Sequence, residues 1–329
     1  MSLPSDISEP LIAAGLLLPD DFRCTPLSGG VSCDIWKVES RARSFVVKRA
    51  LPKLRVASEW LADVARNQHE QAYLKYVGAF LPDAVPEIYF SGPDFFAMEC
   101  LDEGFSDWKS LLLNGKITAA PAIEAGLALG RIHSRSWQDS TAFELFDTGT
   151  HFHDLRISPY LLASAQRHPA IAPLIEAEAA RMAAVRLALV HGDYSPKNLM
   201  VRADRFVVLD CEVAWFGDPA FDVAFLVNHL LLKSMHRQDN AEAFLALIPQ
   251  FLSAYRACMG DNRSDQVLQN VPALLLCLLL ARVDGKSPVE YLTNPGHQDS
   301  IRSFVTRELP HPPASIEELV TKWKSLLCL

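Results

Sequence analysis

Up to about residue 100 the apolar positions mostly recur with strand-like spacing, and beyond it they recur with helical spacing. Leu11, Ile12, Leu16 and Leu17 are placed for one helix face, so residues 1–21 predict a short amphipathic lead-in. The stretch 27–38, L-S-G-G-V-S-C-D-I-W-K-V, sets a glycine pair between two strand-like pieces, and the apolar run 45–48 ends in a lysine. Residues 60–77 carry Trp60, Val64, Asn67, Gln71, Leu74 and Val77 at three- and four-residue steps and predict a helix. Pro82 and Pro86 end it, and 87–90 and 95–100 predict two more strands. The polar turn 101–104, L-D-E-G, marks a boundary near Leu101.

After Trp108 the pattern is helical. Ile123, Leu127, Gly130 and His133 lie along one predicted helix that Pro121 can open. Further helices are predicted over 172–186, 222–232, 241–259, 271–281 and 316–327, the last following a bend at 310–313. Between them, 206–209 is a short apolar, β-branched run that predicts a buried strand ending at Asp210. The expected fold class is α+β, with a small β-rich N-terminal lobe over 1–100 and a large, mainly helical C-terminal lobe over 101–329.

Composition narrows the function. Half of the 329 residues are hydrophobic and 21% are charged, a globular balance with enough chain for two cores. The formal charge of −8 argues against a nucleic-acid partner. Seven scattered cysteines without a C-x-x-C pair predict reduced thiols and a cytoplasmic setting. No Lys or Arg precedes Arg23, unlike a secretory leader, and the apolar run 271–281 is too short to span a bilayer. The expected partner is a small-molecule substrate, with no nucleic acid, no membrane, and a monomeric or homodimeric state.

Candidate chemistry concentrates between His191 and Asp222, which reads H-G-D-Y-S-P-K-N-L-M, then V-V-L-D-C-E, then G-D-P-A-F-D. Asp193 and Asn198 share a segment broken by Pro196, and Asp210 and Glu212 follow the strand. Carboxylates at a strand end and on a neighbouring loop can converge on one Mg²⁺, which prefers carboxylates plus substrate phosphates. Upstream, the glycine turn Ser28-Gly29-Gly30-Val31-Ser32 can offer backbone N–H groups to phosphate, with the Ser32 hydroxyl as an extra donor. Lys48 can reach the same phosphates and needs a carboxylate partner; Glu70 is favoured over Glu59 and Asp63.

Glycine turn, strand lysine, helix glutamate, H-G-D-x-x-x-x-N and strand-end aspartate, in this order, resemble the aminoglycoside phosphotransferase and choline kinase group, which has a protein-kinase-like fold. The likeness spans about 27–230. It implies an ATP- and Mg²⁺-dependent kinase acting on a small-molecule hydroxyl, with a nucleotide-binding N-terminal lobe. Asp193 would accept the hydroxyl proton, Asn198 and Asp210 would hold Mg²⁺, and Lys48, positioned by Glu70, would bind phosphates. The backbone from Glu99 to Leu101 would meet the adenine, and Asp222 would brace the catalytic loop. Residues 47–60 and Asp210-x-Glu212 also resemble methylthioribose kinases, whereas Asn198 follows the aminoglycoside-kinase pattern. The alternative from another class is a catalytically silent nucleotide-binding protein on the same fold.

Several residues keep two readings. Glu212 is either a second metal ligand or a surface carboxylate. His191 is expected to be packed and hydrogen-bonded, Lys197 solvated, the His151-x-His153-Asp154 stretch ordinary surface in a loop, and His133 a helix-end residue. Trp215 and Phe216 either flank the acceptor or pack under the loop, with packing favoured. Arg156 and Tyr160 lie at the cleft or cap a helix. Asp284, Glu290 and Glu317–Glu318 are the carboxylates available to an aminoglycoside pocket.

Overall fold

Lys48 and its expected partner Glu70 are positioned by one antiparallel sheet and one helix. The computed structural model describes residues 3–19, 21–27, 33–41, 43–51 and 66–329. The turn Ser28–Ser32 and the alternatives Glu59 and Asp63 lie outside them. The chain divides into two compact units, Met1–Phe105 with Arg202–Val213, and Ser106–Val201 with Ala214–Leu329.

In the first unit, helix α1 (Ser5–Ala13) precedes strands β1 (Phe22–Pro26), β2 (Cys33–Ser40) and β3 (Ser44–Ala50). Helix α2 (Arg66–Gly78) and strands β4 (Ile88–Ser91) and β5 (Phe95–Glu99) follow. The sheet order is β1-β2-β3-β5-β4, antiparallel throughout. Side chains alternate across a strand. Phe45 and Val47 of β3 therefore join Ile7, Leu11, Leu17, Val38 and Ala97 in a core on the α1 side. Val46 and Lys48 face the other way, where α2 packs. The lead-in thus serves as the cover of one sheet face, although only Leu11 and Leu17 of the four leucine and isoleucine positions are fully buried.

Strand Arg205–Val208 belongs to this unit and ends two residues before Asp210, which has φ +62°. An aspartate tolerates this left-handed conformation better than a β-branched residue would.

The second unit is mostly helical. Its framework includes α3 (Ala119–Arg135), α4 (Ala220–His236), α5 (Ala241–Met259) and α6 (Val271–Asp284). Helix α4 is buried along almost its whole length and packs against both α5 and α6. Two glycines bring α3 and α5 close together. A Cβ at Gly126 would lie 2.3 Å from the Phe251 carbonyl oxygen, and one at Gly130 would lie 2.8 Å from that of Tyr255. Only a missing side chain permits that approach. The stretch 151–154, expected as loop, is helical instead, and His153–Leu162 takes π-type bonding around Pro159. The helices Asp261–Leu268 and Pro295–Glu308 are among the elements not anticipated.

Among the described residues no single helix is long and apolar enough to cross a membrane. The bent pair Asp261–Leu268 and Val271–Asp284 reaches that length only together. The fold class read from the sequence, a β-rich N-terminal region followed by a helical remainder, is borne out.

Candidate active site

Lys48 is the centre of the first group. It is 3% exposed, with Nζ 2.8 Å from Glu70 and 2.6 Å from Asp210 Oδ1. Burial works against its ammonium, but Asp210 and Glu70 outweigh it and hold the lysine pKa well above its usual value. Burial also drives Glu70 upward, to about 7, with Lys48 opposing and Asp210 and Glu212 adding repulsion. Glu212 is not a surface carboxylate: it is 8% exposed, and Oε2 accepts from Arg66 Nε at 3.1 Å. Arg66 and Glu70 lie one turn apart on α2, so one helix face holds Glu212 and Lys48 together.

Ligand atoms of Glu70, Asp210 and Glu212 lie within 4.8 Å of one another. Among the described residues these three carboxylates are paired with two cations, Lys48 and Arg66. The donors are all carboxylate oxygen, the set a hard divalent cation takes, so the residues fit Mg²⁺.

At the end of β5 the Glu99 carboxylate is bound by Arg205, with Nη2 at 2.8 Å, and its N–H donates to the Glu87 carbonyl at 2.8 Å. Leu101 follows in a half-buried turn.

The second group is built on the loop after strand Ala188–Val190. Asp222, in the first turn of α4, accepts from the His191 N–H at 2.7 Å and the Gly192 N–H at 3.0 Å. Gly192 has φ +78°, which turns the chain so that both amides reach one carboxylate. His191 is fully buried and its Nδ1 accepts from the Asp193 N–H at 3.1 Å, which leaves the neutral ring's proton on Nε2. Asn198 Nδ2 donates to the Asp193 carbonyl at 2.9 Å, leaving its amide oxygen to act as a ligand. The Asp193 carboxylate, 7% exposed, has Lys197 Nζ at 3.0 Å and Arg156 Nη2 at 3.4 Å. Arg156 Nε donates to the Gly192 carbonyl at 2.5 Å, so this arginine is a member of the loop's support rather than a helix cap. Lys197 is half-exposed yet engaged with Asp193, not merely solvated.

Two expectations are corrected. His133 lies in the last turn of α3, as a helix-end residue, but it is fully buried rather than exposed, with Nε2 3.3 Å from Asp222 and Nδ1 3.0 Å from the Tyr255 hydroxyl. The pairing with α5 decides its burial, and nothing local to α3 announces it. His153 is exposed and paired with Asp154, as a surface residue, but on helix rather than loop. Trp215 and Phe216 are buried, with Trp215 stacked on Phe152 at 4.2 Å, the packing role favoured from the sequence. Asp284 is bound by Arg302 and His168, Glu290 by Lys109, and Glu318 by Lys322, so three of the four carboxylates offered for an aminoglycoside pocket already have a cation.

Comparisons with known proteins agree with these motifs. Residues 23–259 match the model of the phosphotransferase enzyme family. A methylthioribose kinase of Escherichia coli is 28% identical over 254 residues, covering 67% of this chain and 60% of that one. The chain therefore spans less than two thirds of this curated relative's length. In fold it is similar to an amicoumacin kinase solved with AMP-PNP and Ca²⁺, at TM-score 0.61, 13% identity, and coverage of 95% and 97% of the two chains. It is also similar to an ethanolamine kinase of Plasmodium vivax, at TM-score 0.55, 13% identity, and coverage of 89% and 85%. The fold is protein-kinase-like, as the resemblance implied. With the family model spanning well over half of its length, the chain belongs to the phosphotransferase enzyme family.

Proposed function

We propose that this chain moves the γ-phosphoryl group of ATP, with Mg²⁺, to a hydroxyl of a small molecule. The observation that carries the reading is the pairing of buried Lys48 with both Glu70 and Asp210. A lysine so held keeps its charge and is aimed for phosphate oxygens. Glu70 positions Lys48. Asp210 and Glu212, with the amide oxygen of Asn198, are the residues to hold Mg²⁺. When bound, Mg²⁺ supplies neutralisation of charge on the phosphate oxygens. The N–H groups of Gly29 and Gly30 and the hydroxyls of Ser28 and Ser32 are assigned to the phosphates, and the backbone of Glu99 and Leu101 to the adenine. Asp193 orients the acceptor hydroxyl and takes its proton, while Arg156 and Lys197 fix its carboxylate. Asp222 holds the loop in shape and touches no reactant. Seven cysteines outside any disulfide fit the reducing cytoplasm as the setting.

The test is ADP release with Mg-ATP over methylthioribose, ethanolamine, choline, aminoglycosides, hydroxylysine and homoserine. An acceptor is expected whose turnover falls by roughly 10²–10⁴-fold in Asp193→Asn, with Mg-ATP affinity retained. Near-normal turnover in that variant rejects the assignment, as does unchanged Mg-ATP affinity in Asp210→Ala. Silence across the panel with ATP still bound favours a catalytically silent nucleotide-binding protein.

A further inference from the structure

Helix α4 carries a cation into the packed interior of the second unit. Lys233 is 1% exposed, and among the described residues no carboxylate lies within ion-pair reach of it. Its ammonium lies 4.9 Å from the centre of the Tyr291 ring, whose buried hydroxyl has no hydrogen-bond partner. One turn earlier, His229 is 7% exposed and its Nδ1 is also without a partner. Arg282 of α6 donates to the Tyr160 hydroxyl at 3.1 Å and to Ser287 Oγ at 3.0 Å, both neutral, and its Nε is unpartnered.

The charged groups facing Lys233 are Lys109, Glu290, Arg282 and Asp107. Both acids are already engaged. Glu290 pairs with Lys109, and Asp107 caps its own helix by accepting from the Ser110 N–H at 2.8 Å. The charges that act most strongly on His229 are cations, namely Lys233, Arg282, Lys197 and Lys109. A buried ammonium without a counter-charge is costly, and so is a buried ring nitrogen without a partner. Both costs are relieved by an anion that brings acceptor oxygens. The cluster also reaches the proposed catalytic loop: the Arg282 and Arg156 guanidinium groups lie 5.5 Å and 5.6 Å from the Tyr160 ring centre, and Arg156 contacts Asp193.

We infer that the acceptor carries an anionic group, a carboxylate or a phosphate, which Lys233, His229 and Arg282 receive while its hydroxyl is offered to Asp193. The placement of the hydroxyl rests on the phosphotransferase reading; the anion site does not. It differs from the carboxylate-rich pocket that a polyamine antibiotic needs.

Calorimetric titration of the protein, saturated with Mg²⁺ and AMP-PNP, separates the two. The probes are short hydroxy acids and sugar phosphates, D-glycerate and glycerol 3-phosphate first, each against a neutral analogue such as glyceramide or glycerol. At least one acid is expected to bind tenfold or more tightly than its neutral analogue. Lys233→Met should weaken that acid roughly 10- to 100-fold, the range for losing a charge-assisted hydrogen bond, and leave AMP-PNP affinity unchanged. Whether the carboxylates or the phosphates bind tells which anion the site takes. Neutral analogues binding as well as the acids, an unchanged acid affinity in Lys233→Met, or no acid binding at millimolar concentration overturns the inference. Should Lys233→Met fail to fold, Lys233→Gln and Arg282→Gln give the same readout. Acids that bind but are not phosphorylated leave the anion site standing and remove the phosphotransferase reading. Turnover confined to neutral acceptors does the reverse.

Discussion

Arg66 Nε stands 3.1 Å from Glu212 Oε2, and the arginine is fully buried. The carboxylate assigned to Mg²⁺ is therefore held in place before any metal arrives. Arg66→Met removes a guanidinium that is buried against the Glu212 carboxylate, which should cost about 3–5 kcal/mol. Urea unfolding without metal should show it. Mg²⁺ should restore part of the loss, because it brings the missing positive charge. An unchanged midpoint would count against the pair.

Arg156 contacts the Gly192 carbonyl and the Asp193 carboxylate at once. It is a positioning residue, acting through Asp193. Arg156→Lys keeps the charge and loses the planar fork, so kcat should fall roughly tenfold to a hundredfold while KM for ATP stays constant. Steady-state kinetics with the acceptor found for the wild type decides it. A change confined to KM would contradict the positioning role.

Burial lowers the Lys233 pKa from 10.5 to about 7, with Lys109 adding repulsion. The folded protein therefore loses this proton near pH 7, while the unfolded chain keeps it until about 10.5. Wherever the unfolded chain binds more protons, stability rises with pH. Lys233→Met should be the more stable protein below pH 7, by about 3–5 kcal/mol, and the advantage should shrink between pH 7 and 10.5. Chemical unfolding of both proteins across this range tests the sign as well as the size. A constant difference across the window would refute it.

Gly126→Ala places a Cβ 2.3 Å from the Phe251 carbonyl and 2.8 Å from the Ala254 Cβ. Helix propensity favours alanine by about 1 kcal/mol, but overpacking costs typically 1–3 kcal/mol or more. Backbone rather than a movable side chain is the obstacle, so the balance should be destabilising. A higher thermal midpoint would show that α3 and α5 can part.

The sequence carried the site where the chemistry is local. His191, Asp193 and Asn198 lie within one loop, Asp210 and Glu212 within the next, and Lys48 at its strand end could be placed by pattern alone. Residues whose roles depend on distant partners were hidden. Arg66 and Glu212 are 146 residues apart, and His133 and Tyr255 are 122 apart. His133 looks like the polar end of an amphipathic helix until α5 covers it. Lys233 follows the run L-V-N-H-L-L-L, where a helix predicted to stop at Leu232 makes the lysine its solvated end. In fact α4 continues to His236, and the lysine remains inside.

The first unit is discontinuous in the chain, since Arg202–Val213 joins it across an intervening stretch. A fragment ending at Phe105 would contain Lys48 and Glu70 but neither Asp210 nor Glu212. The same holds during synthesis, which proceeds from the N-terminus. The emerging sheet carries its lysine and Arg66 without two of their carboxylates until residue 213 has left the ribosome. The carboxylates proposed to hold the metal thus join this unit late, after the loop that carries Asp193 has been made.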